Sequence, residues 1–176
     1  MGECGTFVTH TNQTVHLRRV KQGDAALLVE MYHRLSSETK RLRFHLYTTK
    51  ISEERIWEEA EKLSDLEPRR QVAIVGVVSE ADGQEHAVGV ARFTRATAED
   101  TEAEVAVVVR DDFQRKGLGK HLLLTLADKA RAAGITHFSA WVSSDNVRLM
   151  KLIKNMELKN MESEARYGQT KIRVPL

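Results

Sequence analysis

One stretch, Val105–Leu126 (VAVVVRDDFQRKGLGKHLLLTL), constrains the fold more than any other part of this 176-residue chain. Val105 to Val109 is a run of apolar, mostly β-branched side chains, the pattern of a buried strand. Arg110, Asp111 and Asp112 then make a polar turn, and QRKGLGK opens a helix with Leu118, Leu122 and Leu126 on one stripe. A strand that turns straight into a helix start makes an anion cradle. The first helical N–H groups have no intrahelical partner, and the helix dipole places roughly half a positive charge there. Gly117 and Gly119 carry no Cβ to hold a phosphate off the backbone. Arg115, Lys116 and Lys120 add side-chain charge at the same place.

Spacing excludes two common cradles. A Walker A loop needs a glycine five positions before Gly119, where Gln114 stands, and Ser or Thr after Lys120, where His121 stands. A dinucleotide fingerprint needs a small third residue at Leu122. The pattern that fits is Gln/Arg-x-x-Gly-x-Gly/Ala, filled by Gln114, Gly117 and Gly119 directly after a hydrophobic strand. In that setting the stretch resembles motif A of the GNAT superfamily of N-acetyltransferases. The resemblance implies that residues 114–120, Leu118 included, grip the pyrophosphate of acetyl-coenzyme A.

The order of elements extends the resemblance along the chain. Residues 1–13 read as a flexible leader and 14–176 as one domain. Thr14–Val20 alternates as a strand, and Gly23-Asp24 supplies a turn and cap for a helix carrying Leu27, Leu28, Met31, Tyr32 and Leu35. The polar, basic segment Ser36–His45 follows. Ser52 caps a second helix with Ile56, Trp57, Ala60 and Leu63 on its apolar face. Strands Gln71–Val78 and Ala87–Thr94 flank an Ala81-Asp82-Gly83 hairpin turn. The central strand is Glu102–Val109, and the motif helix runs to Ala133, before the stop at Gly134. Strand His137–Val142, helix Val147–Asn155 and short strands near Leu158–Glu162 and Thr170–Val174 complete the chain. This order, β-α-α-β-β-β-α-β-α-β-β, is the order of the GNAT fold. The expected class is therefore α/β (α+β), with a mixed, mostly antiparallel sheet of about seven strands flanked by about four helices.

Acetyl transfer to an amine sets chemical requirements. A lysine ammonium has a pKa near ~10.4, so a base must take its proton at neutral pH. Glu102 and Glu104 lie two apart and share one face of the central strand. Glu104 is the deeper of the two, so partial desolvation suits it to a general base. Its position ten residues before Gln114 also resembles GNAT members that use a strand glutamate. The resemblance further implies that the backbone of Val107, Val108 and Val109 meets the carbonyl oxygen and pairs with the pantetheine arm. Many members carry N-x-x-A-x-x-L-Y-x-x-x-G-F in the fourth helix. Here Asn146 and Leu152 match and Leu149 takes the alanine position, while Ile153, Glu157 and Leu158 replace the Tyr, Gly and Phe. Asn146 is thus a coenzyme A contact, a helix cap, or both, and no tyrosine acid carries over. Ser143, Ser144, Tyr167 and solvent remain as proton donors. The seven histidines, among them His45, form no triad pattern, and Trp57 and Trp141 read as core.

For the acceptor, LSSETKRLRFH resembles the LSxESxxxRFF-like segment of bacterial Pat-type protein lysine acetyltransferases, and NVRLMKLIKNMEL looks like the same group. That implies a protein lysine as acceptor, such as one on an acyl-CoA synthetase. Homodimers are common in the superfamily and are compatible with this chain. Two alternatives stay open. One is a small amine (polyamine, amino acid or aminoglycoside) met by Glu53, Glu54, Glu58, Glu59 and Glu61, whose spacing equally describes a solvated helix face. The other is an acyl-CoA-binding sensor with little turnover. A net charge of +2 gives no support for nucleic acid. No apolar run reaches the length of a membrane span, and the N-terminus lacks the apolar core of a signal peptide. A lone Cys4 fits a reducing cytoplasm, and no Cys/His spacing suggests a metal. The expectation is a cytoplasmic protein with neither membrane nor metal partners.

Overall fold

The structure, a computed structural model, describes residues 2–44, 51–156 and 158–176; His45 and Glu157 lie outside the described residues. Along the chain run β1 (Glu3–Val8), β2 (Thr14–Arg19), α1 (Ala25–Arg34), α2 (Ser37–Phe44), α3 (Glu53–Ser64), β3 (Gln71–Ser79), β4 (Glu85–Thr94) and β5 (Glu102–Val109). After them come α4 (Leu118–Ala132), β6 (His137–Ser143), α5 (Val147–Asn155), β7 (Glu162–Arg166) and β8 (Gln169–Pro175). The eight described strands form one sheet in the order β1-β2-β3-β4-β5-β6-β8-β7. Every pairing is antiparallel except β5 with β6.

Both faces of the sheet are covered, as expected when strands read as continuous apolar runs. On one face Leu118, Leu122 and Leu126 of α4 are buried against Val15, Leu17, Ile74, Val88, Phe93 and Phe138. On the other, Met31 and Leu35 are buried against Val20, Ala73, Val75, Val77 and Ala87. Gly76 and Gly89 face each other across β3 and β4. A Cβ on Gly89 would lie 2.8 Å from Leu122 Cδ1, and one on Gly76 would lie 2.9 Å from Val15 Cγ1. The missing side chains let α4 and β2 settle onto the sheet.

The feature that positions the site is a parting of strands. β5 and β6 pair only at Glu102↔His137, Ala103↔Phe138 and Glu104↔Ser139. Beyond that point β5 continues against β4 alone and β6 against β8 alone. The edge of β5 from Val105 to Val109 is therefore left open on the β6 side.

Four expectations are corrected. Residues 3–8, assigned to the leader, form β1 and pair with β2; Val8, Phe7 and Cys4 gave too little alternation to read as a strand. The Ser36–His45 segment contains helix α2, whose start is capped by Ser36 Oγ accepting from Thr39 N at 3.1 Å. Its two apolar residues are too few for a periodic signal. These additions raise the expected seven strands and four helices to eight and five. The short strand expected at Leu158–Glu162 lies instead at Glu162–Arg166, after a turn through left-handed Asn160. Trp57 and Trp141, expected in the core, are 41% and 42% exposed.

Candidate active site

A cleft of about 690 Å³ opens where β5 and β6 part. Its walls come from β5 (Glu104–Val109), the loop and start of α4 (Gln114, Arg115, Gly117, Gly119, Lys120), β6 (Ser139–Val142) and the apolar side of α5 (Leu149, Leu152, Ile153). Val105, Val107 and Val109 pack toward α4, and Val108 packs toward α1. Side chains thus hold β5 in the sheet while its backbone edge faces the gap.

Left-handed residues at Arg115 (φ 59) and Gly117 (φ 89) roll the chain from β5 into α4 within three positions. The helix start has no side-chain cap and no acidic residue in its first turn, so its free N–H groups and dipole are unanswered within the chain. Gly119 points into the cleft, and a Cβ there would be 3.5 Å from Leu152 Cδ2 and 3.6 Å from Val109 Cγ2. Gly117 acts differently from the sequence expectation. A Cβ on it would meet His10 Nε2 and Phe7 Cζ, both at 3.1 Å. Its role is to adopt positive φ and to admit the N-terminal hairpin. Phe7 stacks on His121 with ring centroids 4.6 Å apart, and His10 N donates to Lys116 O at 3.3 Å. Lys116 is drawn the same way. Its Nζ donates to Gln13 Oε1 at 2.7 Å and sits over the Phe113 ring, so it does not line the cleft. Leu118 is core, at 1% exposure, and only its backbone is available to the cradle. Arg115 and Lys120 are the basic side chains of the motif that remain on the cleft wall.

Gln114 ties three elements together. Its Nε2 donates to Val109 O at 3.0 Å and to Thr39 Oγ1 at 3.2 Å, and its Oε1 accepts from Arg148 at 3.0 Å. Asp111 secures α2 from the same loop. It accepts from Ser36 N (2.9 Å), Ser36 Oγ (2.7 Å) and Thr39 Oγ1 (2.8 Å). Burial works against its charge, but those hydrogen bonds hold its carboxyl below the usual range. Ser36 and Thr39 escaped the sequence reading, although the Ser-x-x-Thr spacing before a basic run was a usable helix-start signal.

The carboxylates reverse their expected environments. Glu104 stands opposite Ser139 at the apex of the opening, lines the cleft and is exposed rather than partly desolvated. Glu102 is the more covered of the two and is turned to Arg173 Nε at 2.8 Å. That hydrogen bond, aided by Ser139, holds Glu102 below the usual range against the effect of its burial. Near Glu104 lie two arginines whose charges interact with it, Arg43 of α2, which belongs to the LSSETKRLRFH segment, and Arg92 of β4, which no motif flagged.

Asn146 lines the cleft and caps α5, its Oδ1 accepting from Leu149 N at 3.1 Å. Ile153, at the expected tyrosine position, lines the cleft with an apolar side chain. Ser143 donates to Asp145 at 2.5 Å, Ser144 lies 3.5 Å from Thr170 Oγ1, and Tyr167 is fully exposed. None of these three hydroxyls lines the cleft. Among the described residues no helix is long and apolar enough to cross a membrane, and no group of three or more His, Cys, Asp or Glu could hold a metal ion.

With this geometry in view, residues 30–157 match the Acetyltransferase (GNAT) family. Acetyltransferase Pat of Mycolicibacterium smegmatis is 33% identical over 85 residues, which are 48% of this chain and 26% of Pat. Acetyltransferase PA5475 of Pseudomonas aeruginosa is 30% identical over 132 residues, 75% of this chain and 68% of that protein. The GNAT domain of S. lividans PAT superposes with a TM-score of 0.84 at 24% identity, covering 99% of this chain and 97% of that domain. The fold is shared with yncA from Salmonella typhimurium, solved with its cofactor acetyl-CoA, at a TM-score of 0.59 and 23% identity over 92% of this chain and 94% of that one. The match thus spans about a quarter of Pat's length.

Proposed function

The chain belongs to the GNAT family of acetyltransferases, and from that premise we propose that it acetylates a lysine side chain of a protein, with Glu104 receiving the proton of the amine. GNAT acetyltransferases use acetyl-CoA, and the cleft fits that ligand on three counts. The start of α4 is uncapped and free of acidic residues, Gly119 leaves open the space a side chain would fill, and Arg115 and Lys120 stand on the wall. These residues would hold the pyrophosphate, and the open edge of β5 would pair with the amide-bearing arm. When bound, acetyl-CoA supplies an acetyl thioester. The residues of the chain supply the rest. Glu104 is exposed at the apex and accepts a proton from an entering ammonium. Unpaired N–H groups on the β5 edge are donors for a carbonyl oxygen on which charge grows. Glu102, occupied by Arg173 and off the cleft wall, is unsuited to this work. With Ile153 at the tyrosine position, the departing thiolate takes its proton from solvent.

The observation that carries this reading is that Glu104 and the uncapped start of α4 share one cleft. The acceptor class is supported by the resemblance of LSSETKRLRFH to the Pat-type segment, and by what is missing from the mouth of the cleft. Glu53, Glu54, Glu58, Glu59 and Glu61 do not line it, which disfavours a polycationic small amine. Incubation with labelled acetyl-CoA and an acyl-CoA synthetase, read by mass spectrometry, tests the proposal. Label on protein lysines is expected; label confined to small amines would contradict it.

A further inference from the structure

Glu104 does not stand alone at the apex. Arg43 lines the cleft beside it. Arg92 does not line the cleft, but it pairs with Ala106 across β4 and β5, which puts its side chain on the same face of the sheet as Glu104, one diagonal step away. Arg43 Nε is buried with no hydrogen-bond partner among the described residues, and its guanidinium rests over the Phe44 ring, 5.1 Å from the centroid. Burial, and then repulsion from Arg92, push Arg43 down to about 10, with Glu104 opposing. Burial also lowers Arg92, opposed by Glu104 and Glu59, and Glu59 is already engaged by Lys62 at 2.9 Å. The six residues after Phe44, HLYTTK, contain no Asp or Glu. Two half-buried guanidiniums therefore share one free carboxylate among the described residues, and one positive charge is left over where the acceptor must enter. A half-desolvated cation without a counter-charge is costly, and a guanidinium fork matches a carboxylate in shape as well as charge.

We propose that Arg43, with the charge of Arg92 behind it, forms an anion subsite beside Glu104, and that the acceptor amine carries an acidic group next to it. For a protein acceptor, this is a lysine flanked by Asp or Glu. The inference rests on the reading of this mouth as the acceptor entrance. It also separates from a simpler role. Arginines that only positioned Glu104 would, once removed, lower kcat for every acceptor alike, whereas a subsite acts on KM and on acidic acceptors alone.

The test uses two matched pairs of acceptors: a lysine peptide flanked by Asp against its Asn twin, and free lysine against lysinamide. Wild type, Arg43→Gln and Arg92→Gln are compared, with Arg43→Lys and Arg92→Lys as variants that keep the charge and the fold. The expected result is a wild-type preference for the acidic peptide of about tenfold in kcat/KM, equivalent to about 1.4 kcal/mol. The Gln variants lose it through KM, and the Lys variants keep part of it. A preference seen only for lysine over lysinamide, and lost in the Gln variants, supports the subsite while overturning the protein acceptor. Equal rates within both pairs, or a preference that survives both Gln changes, overturns the subsite; peptide acetylation in that case leaves the protein acceptor standing.

Discussion

Glu104→Gln removes the carboxylate of an exposed residue while keeping its size, and because it also removes the counter-charge of Arg43 and Arg92, Tm is read beside kcat. Glu104→Gln is expected to lower kcat by roughly 10²–10⁴-fold, the usual share of a general base, with acetyl-CoA affinity unchanged by calorimetry. Near-zero turnover in both proteins would favour the sensor reading instead. A second residue governs pH dependence. His86 lies 2.8 Å from Asp82 and 3.2 Å from Glu30. The hydrogen bond to Asp82 raises it above its ordinary 6.5, with burial opposing. Its charged contacts therefore stabilise the fold fully below about 6.5 and fade as pH climbs through the raised value. The Tm difference between wild type and His86→Asn should shrink from pH 6 to pH 9; a difference independent of pH would refute this. Neither environment was legible in the sequence. Two glutamates on one face were plain from their spacing, but which one would be covered depended on Arg173, 71 positions away.

The N-terminal hairpin and the loop before α4 are one mechanical unit, since Phe7 and His10 occupy the space beside Gly117 and Gln13 holds Lys116. Deleting residues 1–10 should therefore weaken acetyl-CoA binding by about tenfold, or about 1.4 kcal/mol, without unfolding the sheet, in which β1 is an edge strand. Unchanged affinity in the truncated protein would show that the loop stands without this support. At this scale the sequence was informative where a pattern is local. The strand–turn–helix at 105–126, the cap at Ser52 and the helix Val147–Asn155 appear as read. Elements held by distant partners were not legible. α2 owes its position to Asp111, 72 to 75 positions away, and β1 carries too weak an alternation to be read before its pairing with β2 is seen. Asp24 stands at the start of α1 as expected but does not cap it; its carboxylate is taken by Arg18 at 2.7 Å and by Lys21 N at 2.9 Å.

Across the whole molecule, one arrangement joins fold to chemistry. Two strands that pair for three residues and then separate leave a backbone edge, a helix start and a carboxylate around one cleft. The order of elements along the chain implied this through its likeness to the GNAT fold, whereas the meeting of Arg43 and Arg92 at Glu104 emerges only in three dimensions. If the start of α4 is the cradle for acetyl-CoA, Gly119→Glu should block it. The position is helical and its Cβ has ordinary room, and a carboxylate in a first helical turn favours the helix, so the fold should survive while the cradle is filled and its charge reversed. Isothermal titration with acetyl-CoA should show binding by the wild type and a loss of at least about 100-fold in the variant, about 2.7 kcal/mol. No binding by the wild type, or equal binding by both proteins, would contradict the account.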